Sequence, residues 1–172
     1  MTQQEAKRSV KRAVPLSIRL FQAEDAAIGE AILRSLLAWF GIESAIVQYC
    51  RDLTEMETYL AEAEGQAVGF VTLNQHNPYT AEIHLIAVLA TWHRSGVGSA
   101  LVRYAEQVLR SRSIEYLEVK TLGPSKPDAN YARTRQFYEV MGFRPLEENG
   151  LWGEVNPCLI MVKHLSCGNH TD

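Results

Sequence analysis

The chain has 172 residues, of which 47% are hydrophobic and 22% charged, and its formal net charge is −3. These values predict one soluble globular domain, and they disfavour a nucleic acid as the main partner because phosphate backbones attract a basic face. Three cysteines without a CxxC pair disfavour a disulfide framework or a zinc site and favour a reducing cytoplasm.

The two ends of the chain differ in composition from its middle. Residues 1–14 carry four basic residues and no apolar run, which predicts a disordered basic tail and no signal peptide. Residues 166–172 form a second short tail. No stretch of about 18 apolar residues occurs, so no membrane span is expected. The sequence therefore predicts a single domain over residues 15–165.

Within that domain the hydrophobic pattern alternates between strand and helix periods. Strands are predicted at 16–21, 58–63, 67–73, 81–88, 115–122 and 159–165, with a short one near 143–146. Helices are predicted at 24–40, 42–53 and 131–141, and a fourth begins at Val97. The order indicates an α/β sheet with mixed strand directions.

A glycine-containing turn joins the strand at 81–88 to the helix that begins at Val97. It reads His93-Arg94-Ser95-Gly96-Val97-Gly98. The first backbone N–H groups of a helix have no intrahelical partner and lie at the positive end of its dipole, and glycines let a phosphate approach them closely. The turn therefore predicts a phosphate or diphosphate site. It lacks the Lys-Ser/Thr of a Walker A loop, and Leu101 stands where GxGxxG has its third glycine.

The stretch resembles the GNAT superfamily of N-acetyltransferases, whose pyrophosphate turn reads Gln/Arg-x-x-Gly-x-Gly/Ala; His93 departs from the usual first residue. The resemblance implies a mixed, mostly antiparallel sheet of six to seven strands flanked by about four helices. It implies that the N–H groups of Val97, Gly98 and Ser99 hold the diphosphate of acetyl-CoA. The backbone of Ile86 and Val88 would pair with the pantetheine arm, and the Val88 N–H would polarise the thioester carbonyl.

Two side chains are the catalytic candidates by the same resemblance. Glu82 lies in Ala81-Glu82-Ile83, similar to the Ala-Glu-Ile of the family's histone acetyltransferases, where the glutamate is the base. Tyr138 precedes Gly142-Phe143 at the spacing of the family tyrosine that protonates the leaving thiolate. His84 is a rival base, and in a regular strand Glu82, His84 and Ile86 would project to one face.

The remaining expectations concern ligands. The family often has an asparagine where this chain has Tyr131, whose hydroxyl could replace it in binding the cofactor. His76 and His84 have no evident carboxylate or cysteine partner, so no metal is predicted. The acceptor is an amine, either on a small molecule or on a protein lysine or N-terminus, and the sequence leaves its identity and the oligomeric state open, a homodimer included. The alternatives are a non-catalytic acyl-CoA-binding module and a nucleotide-binding domain.

Overall fold

A computed structural model describes residues 15–165 and shows a seven-stranded sheet with four α-helices. The strands are β1 Leu16–Leu20, β2 Glu57–Ala63, β3 Gln66–Gln75, β4 Thr80–Val88, β5 Tyr116–Leu122, β6 Arg144–Asn149 and β7 Cys158–His164. The helices are α1 Ala26–Arg34, α2 Glu43–Glu55, α3 Val97–Ser111 and α4 Ala129–Val140. The tails predicted at 1–14 and 166–172 lie outside the described residues. None of the described helices is long and apolar enough to cross a membrane.

The sheet is mixed and mostly antiparallel, as predicted. Its strand order is β1-β2-β3-β4-β5-β7-β6, and within residues 15–165 only β4 and β5 pair in parallel. Apolar residues cover both faces. Leu101 of α3 and Tyr138 of α4 pack on one face, whereas Leu33 of α1 and Leu53 of α2 pack on the other. These are called the α3–α4 face and the α1–α2 face below.

The first helix is shorter than predicted. It ends at Arg34 instead of continuing to residue 40. The Ser35 hydroxyl donates to the Ile32 carbonyl at 2.7 Å, and the N–H groups of Leu36 and Trp39 bond to carbonyls three residues earlier, as in tight turns. The apolar spacing that suggested a continuing helix instead belongs to a turning segment, residues 35–41.

Strand β4 contains a β-bulge at His84. Consecutive β3 residues Thr72 and Leu73 pair with Leu85 and Ile83, so His84 is an additional residue on β4. An extra residue reverses the alternation of side chains between the two faces. Ile83 packs in the α3–α4 core before the bulge, and Ile86 packs against that core after it. The expectation that Glu82, His84 and Ile86 share one face is therefore wrong, because the strand is not regular.

Strands β4 and β5 part beyond the bulge. Their parallel pairing runs from Thr80 with Tyr116 to Ile83 with Val119 and then stops. Among residues 15–165, the rest of β4, as far as Val88, has no partner strand on that side. The separation of the two strands opens a cleft in the middle of the sheet, next to the turn that precedes α3.

Candidate active site where two parallel strands part

The cleft has a volume of about 700 Å³. Its walls come from β4, β5, the turn before α3, helices α2 and α4, the segment 35–41, and the loop that carries Leu151 and Trp152. A cavity of this size accommodates a small-molecule ligand. Its position at the carboxyl ends of two parallel strands is also the usual place for a ligand in an open α/β sheet.

The turn before α3 has the backbone of an anion site. Gly96 caps the helix with φ +93°, a conformation that favours glycine, and Arg94 has φ +61°. The first intrahelical bond joins the Ala100 N–H to the Gly96 carbonyl. The N–H groups of residues 97–99 are therefore the unpaired donors of the first turn. The start of α3 at Val97 and the positive φ of Gly96 match the predicted glycine turn that leads into a helix.

Not every side chain of the predicted turn reaches the cleft. His93, Arg94, Gly96, Gly98 and Ser99 line it. The Ser95 hydroxyl instead donates to the Trp92 carbonyl, and the Val97 side chain is buried in the α3–α4 core. Residues 95 and 97 can therefore contribute to the site only through their backbone.

The free edge of β4 presents backbone polar groups to the cleft. The Leu89 N–H donates to the Val68 carbonyl of the neighbouring chain segment at 2.9 Å, so in antiparallel alternation the groups of Ile86 and Val88 point the other way. The Val88 carbonyl accepts a hydrogen bond from His93 Nε2 at 2.7 Å. The Val88 N–H and both groups of Ile86 face the cleft, where an extended ligand can pair with them.

Glu82 is buried at the inner end of the cleft in a charged cluster. Its Oε1 lies 2.9 Å from Lys120 Nζ and its Oε2 lies 3.3 Å from His76 Nε2. Glu118 contacts both of these partners, at 2.9 Å from Lys120 and 3.2 Å from His76. Burial lowers the pKa of Lys120, but the hydrogen bonds that its ammonium donates to Glu118 and Glu82 outweigh this effect and raise the pKa overall, so the ammonium stays charged.

His76 therefore has carboxylate partners, contrary to the sequence analysis. Its ring nitrogen and the oxygens of Glu82 and Glu118 lie within 4.8 Å of one another, close enough to hold an ion. Lys120 already lies as a cation between these two carboxylates. Glu118 was missed because it reaches the cluster from β5, the parallel strand, 42 residues away in the chain.

His84 is held by a buried carboxylate that the sequence analysis did not identify. Its Nε2 donates to Asp52 Oδ2 at 2.8 Å, and Gln48 Nε2 donates to Asp52 Oδ1, also at 2.8 Å. Within residues 15–165 no hydrogen bond involves the other ring nitrogen of His84. The available signal was that Asp52 directly precedes the core residue Leu53 in α2, a place where a carboxylate needs a partner.

Tyr138 is buried in the cleft wall at 5% exposure. Its ring centroid lies 5.4 Å from that of Phe137 and 5.5 Å from that of Phe143, which fix its orientation. No described hydrogen bond involves its hydroxyl. Burial, with a smaller effect of Tyr131, raises the pKa of Tyr138 far above its ordinary value of 10.0. The phenol therefore keeps its proton throughout the physiological pH range.

Tyr131 joins α4 to the segment 35–41. Its hydroxyl donates to the Trp39 carbonyl at 2.9 Å, and Trp39 Nε1 donates to Thr134 Oγ1 at 3.2 Å. The Trp39 ring also meets the edge of His93, with centroids 5.6 Å apart. The Tyr131 proton is thus used inside the protein, and only its oxygen is left to accept a bond from a ligand.

A series of rings extends from the segment 35–41 to His84. The centroids of Phe40 and Tyr49 are 5.8 Å apart, and those of Tyr49 and His84 are 6.3 Å apart. Both contacts are edge-to-face. Glu82 is the only carboxylate among the described residues that line the cleft, and Lys120 is its ion-pair partner. The side of the cleft formed by Phe40, Tyr49 and His84 is therefore apolar and aromatic, and the cleft has little free negative charge.

The chain is similar to known acetyltransferases. The model of the acetyltransferase (GNAT) family matches residues 26–143. An uncharacterised N-acetyltransferase of Chlorobaculum tepidum is 25% identical over 126 residues, which cover 71% of this chain and 69% of that protein.

Solved structures of acetyltransferases share the fold. The ribosomal-protein-S18-alanine N-acetyltransferase of Escherichia coli superposes with a TM-score of 0.72 at 17% identity, covering 92% of this chain and 99% of that one. An aminoglycoside 6′-N-acetyltransferase complexed with coenzyme A superposes with a TM-score of 0.68 at 18% identity, covering 87% and 97%.

Proposed function

The chain belongs to the GNAT family of acetyltransferases, and on this premise we propose that it transfers the acetyl group of acetyl-CoA directly to an amine. The amine attacks the bound thioester, and no acetyl group is carried on the enzyme. The observation that supports this most strongly is the open edge of β4 beside the unpaired N–H groups of residues 97–99. Together they offer one continuous track for a pantetheine arm and a diphosphate.

The cofactor is bound mainly by backbone groups in this proposal. The diphosphate lies on the N–H groups of residues 97–99, where the dipole of a 15-residue helix favours negative charge. The Arg94 side chain adds positive charge beside it. The pantetheine amides pair with Ile86, and the Val88 N–H donates to the thioester oxygen, where negative charge develops during attack.

A base is needed because the acceptor amine is protonated in water. An amine with an ordinary pKa near 10.4 costs about 4–5 kcal/mol to deprotonate at pH 7. The sequence predicted Glu82, but an ammonium and an imidazole contact its two oxygens. His84 has one nitrogen oriented by Asp52 and the other without a described partner, which is the arrangement of a general base. We therefore propose that His84 is the base that accepts the proton of the amine, and we keep Glu82 as the second candidate.

Tyr138 is the proposed acid. It lines the cleft with a neutral phenol whose hydroxyl makes no described hydrogen bond. When the carbon–sulfur bond breaks, the departing thiolate takes the phenolic proton, and solvent returns that proton later. General acid catalysis of this kind typically contributes about 100-fold or more to a rate.

The lining of the cleft also favours one class of acceptor. Phe40 and Tyr49 offer ring surfaces beside His84, while Glu82 is already ion-paired. Acceptors with several positive charges need several free carboxylates, which the described lining does not supply. We propose that the acceptor is a primary amine on an apolar, ring-sized body with a single positive charge.

We expect 2-phenylethylamine to be acetylated with a kcat/KM about 10-fold or more above that of spermidine. The reason is that burying a ring contributes about 1.5–3 kcal/mol, whereas burying a second unpaired charge costs free energy. Phe40→Ala should raise KM for 2-phenylethylamine and leave that for acetyl-CoA within about 2-fold, since only acceptor binding loses area. Equal or faster turnover of spermidine would contradict this acceptor class.

Thermal unfolding with added ligands tests cofactor binding by itself. Coenzyme A at about 100 times its Kd should stabilise the protein by about 2.7 kcal/mol, whereas ATP at the same concentration should have little effect. Stabilisation by ATP alone would support a nucleotide-binding domain. Stabilisation by coenzyme A without any release of thiol from acetyl-CoA in the presence of amines would support the non-catalytic acyl-CoA-binding module.

A further inference from the structure

Thr121 of β5 has a hydroxyl group without a partner. The residue is 2% exposed, and its Oγ1 is the buried side-chain polar atom of residues 15–165 for which the structure shows no hydrogen bond. Thr58 and Thr72, which are equally buried in β2 and β3, bond to each other at 2.9 Å. An unpaired buried hydroxyl destabilises a fold, so one that lines a cavity is expected to find its partner in a ligand.

The position of Thr121 indicates which ligand it meets. It lies two residues beyond Val119, the last β5 residue that pairs with β4, so it stands where the strands have parted. Strand β5 pairs regularly with β7, so alternation puts Leu117, Val119 and Thr121 on the α3–α4 face. Tyr138 lies on that face, whereas Asp52 and its partner His84 come from the α1–α2 side. Thr121 therefore faces the side of the cleft where Tyr138, the proposed acid for the thioester sulfur, lies.

We propose that the Thr121 hydroxyl forms a hydrogen bond to the acyl-thioester arm of bound acetyl-CoA. The inference rests on the proposed function, because it takes acetyl-CoA as the occupant of the cleft. A threonine hydroxyl can donate to a carbonyl oxygen and accept from an amide N–H, and the arm carries both kinds of group. Thr121 is thus a cofactor-binding residue that the turn motif did not reveal.

Thr121→Val removes the hydroxyl and keeps the shape of the side chain. Because this hydroxyl has no partner among residues 15–165, the variant should be as stable as the wild type or more stable. Its Kd for acetyl-CoA, measured by calorimetry, should rise about 5- to 10-fold, which corresponds to one lost hydrogen bond. Thr121→Ser keeps the hydroxyl and should bind acetyl-CoA with nearly wild-type affinity.

Thr72→Val is the matched control, because its hydroxyl bonds to Thr58 and it does not line the cleft. It should lower the melting temperature and leave the Kd for acetyl-CoA unchanged. The inference is overturned if Thr121→Val binds acetyl-CoA like the wild type, or if it loses as much stability as Thr72→Val. A wild-type protein that does not bind acetyl-CoA would overturn the proposed function itself, which separates the two failures.

Discussion

His84→Gln is expected to lower kcat/KM about 100-fold, because it removes the imidazole nitrogen to which we assign the amine proton. The glutamine amide can still donate to Asp52 at the position of His84 Nε2, where the distance is 2.8 Å, so the buried carboxylate keeps a partner and the fold is retained. The pH profile of kcat/KM is the measurement that decides whether His84 is the base. The wild type should lose activity at low pH as the base is protonated. In the variant that limb should be replaced by a rise in kcat/KM that continues up to the pKa of the amine near 10.4, because only the neutral amine then reacts.

Glu82→Gln is the comparison for this variant. The carboxylate contacts Lys120 and His76, and Lys120 keeps Glu118 as a partner at 2.9 Å when Glu82 is neutralised. We expect a loss of less than about 10-fold, with the low-pH limb retained. If Glu82→Gln abolishes that limb and His84→Gln does not, the proton passes to Glu82, as the sequence first suggested.

Asp52→Asn tests whether Asp52 acts on catalysis by orienting His84 and stabilising its charged form. Asp52 touches His84 and Gln48 without lining the cleft, so it acts as a positioning residue. The asparagine oxygen can still accept from His84, but it gives less stabilisation to a charged imidazolium. The variant should keep its affinity for acetyl-CoA and move the low-pH limb of kcat/KM towards lower pH. A purely structural role would leave that limb in place.

Tyr138→Phe is expected to reduce kcat about 100-fold, with KM for acetyl-CoA within about 3-fold of the wild-type value. The hydroxyl makes no described hydrogen bond, and the ring contacts with Phe137 and Phe143 are kept, so the fold loses little. Initial rates of thiol release at saturating amine report the change. Full turnover with unchanged affinity for acetyl-CoA would exclude Tyr138 as the acid.

Tyr104→Phe serves as the control for Tyr138. Tyr104 lies on α3 with its ring 4.9 Å from that of Tyr59, outside the lining of the cleft, and its variant should keep wild-type kcat. The pH dependence gives a second check. Because burial raises the pKa of Tyr138 above its ordinary value of 10.0, the phenol stays protonated, and kcat should not decline from this group below pH 10.

Periodicity predicted most of the strands and helices in chain order, and the resemblance to the GNAT family implied the mostly antiparallel sheet of six to seven strands. The helix that begins at Val97 shows a clear apolar face, and Gly96 stands before it because that position has a positive φ. Local signals of this kind depend on neighbours in the chain. The predicted sheet of six to seven mostly antiparallel strands is confirmed by the seven strands observed.

The details that decide the chemistry depend on contacts distant in sequence. The bulge at His84 turns Glu82 and Ile86 to opposite faces, and nothing in the alternation of β4 revealed it. Asp52 meets His84 from a helix 32 residues away. The missing partner of Thr121 is visible only once β4 and β5 are seen to part.

The central claim is direct acetyl transfer from acetyl-CoA to an amine, and one assay tests it. The purified protein is mixed with acetyl-CoA and 2-phenylethylamine, and the release of free thiol is followed with time. The masses of the products and of the protein are measured by mass spectrometry. We expect thiol and N-acetylated amine to form in equal amounts, with no acetylated protein when the amine is left out. No thiol release with any amine, or an acetylated protein that forms first and then passes the group on, would contradict the claim.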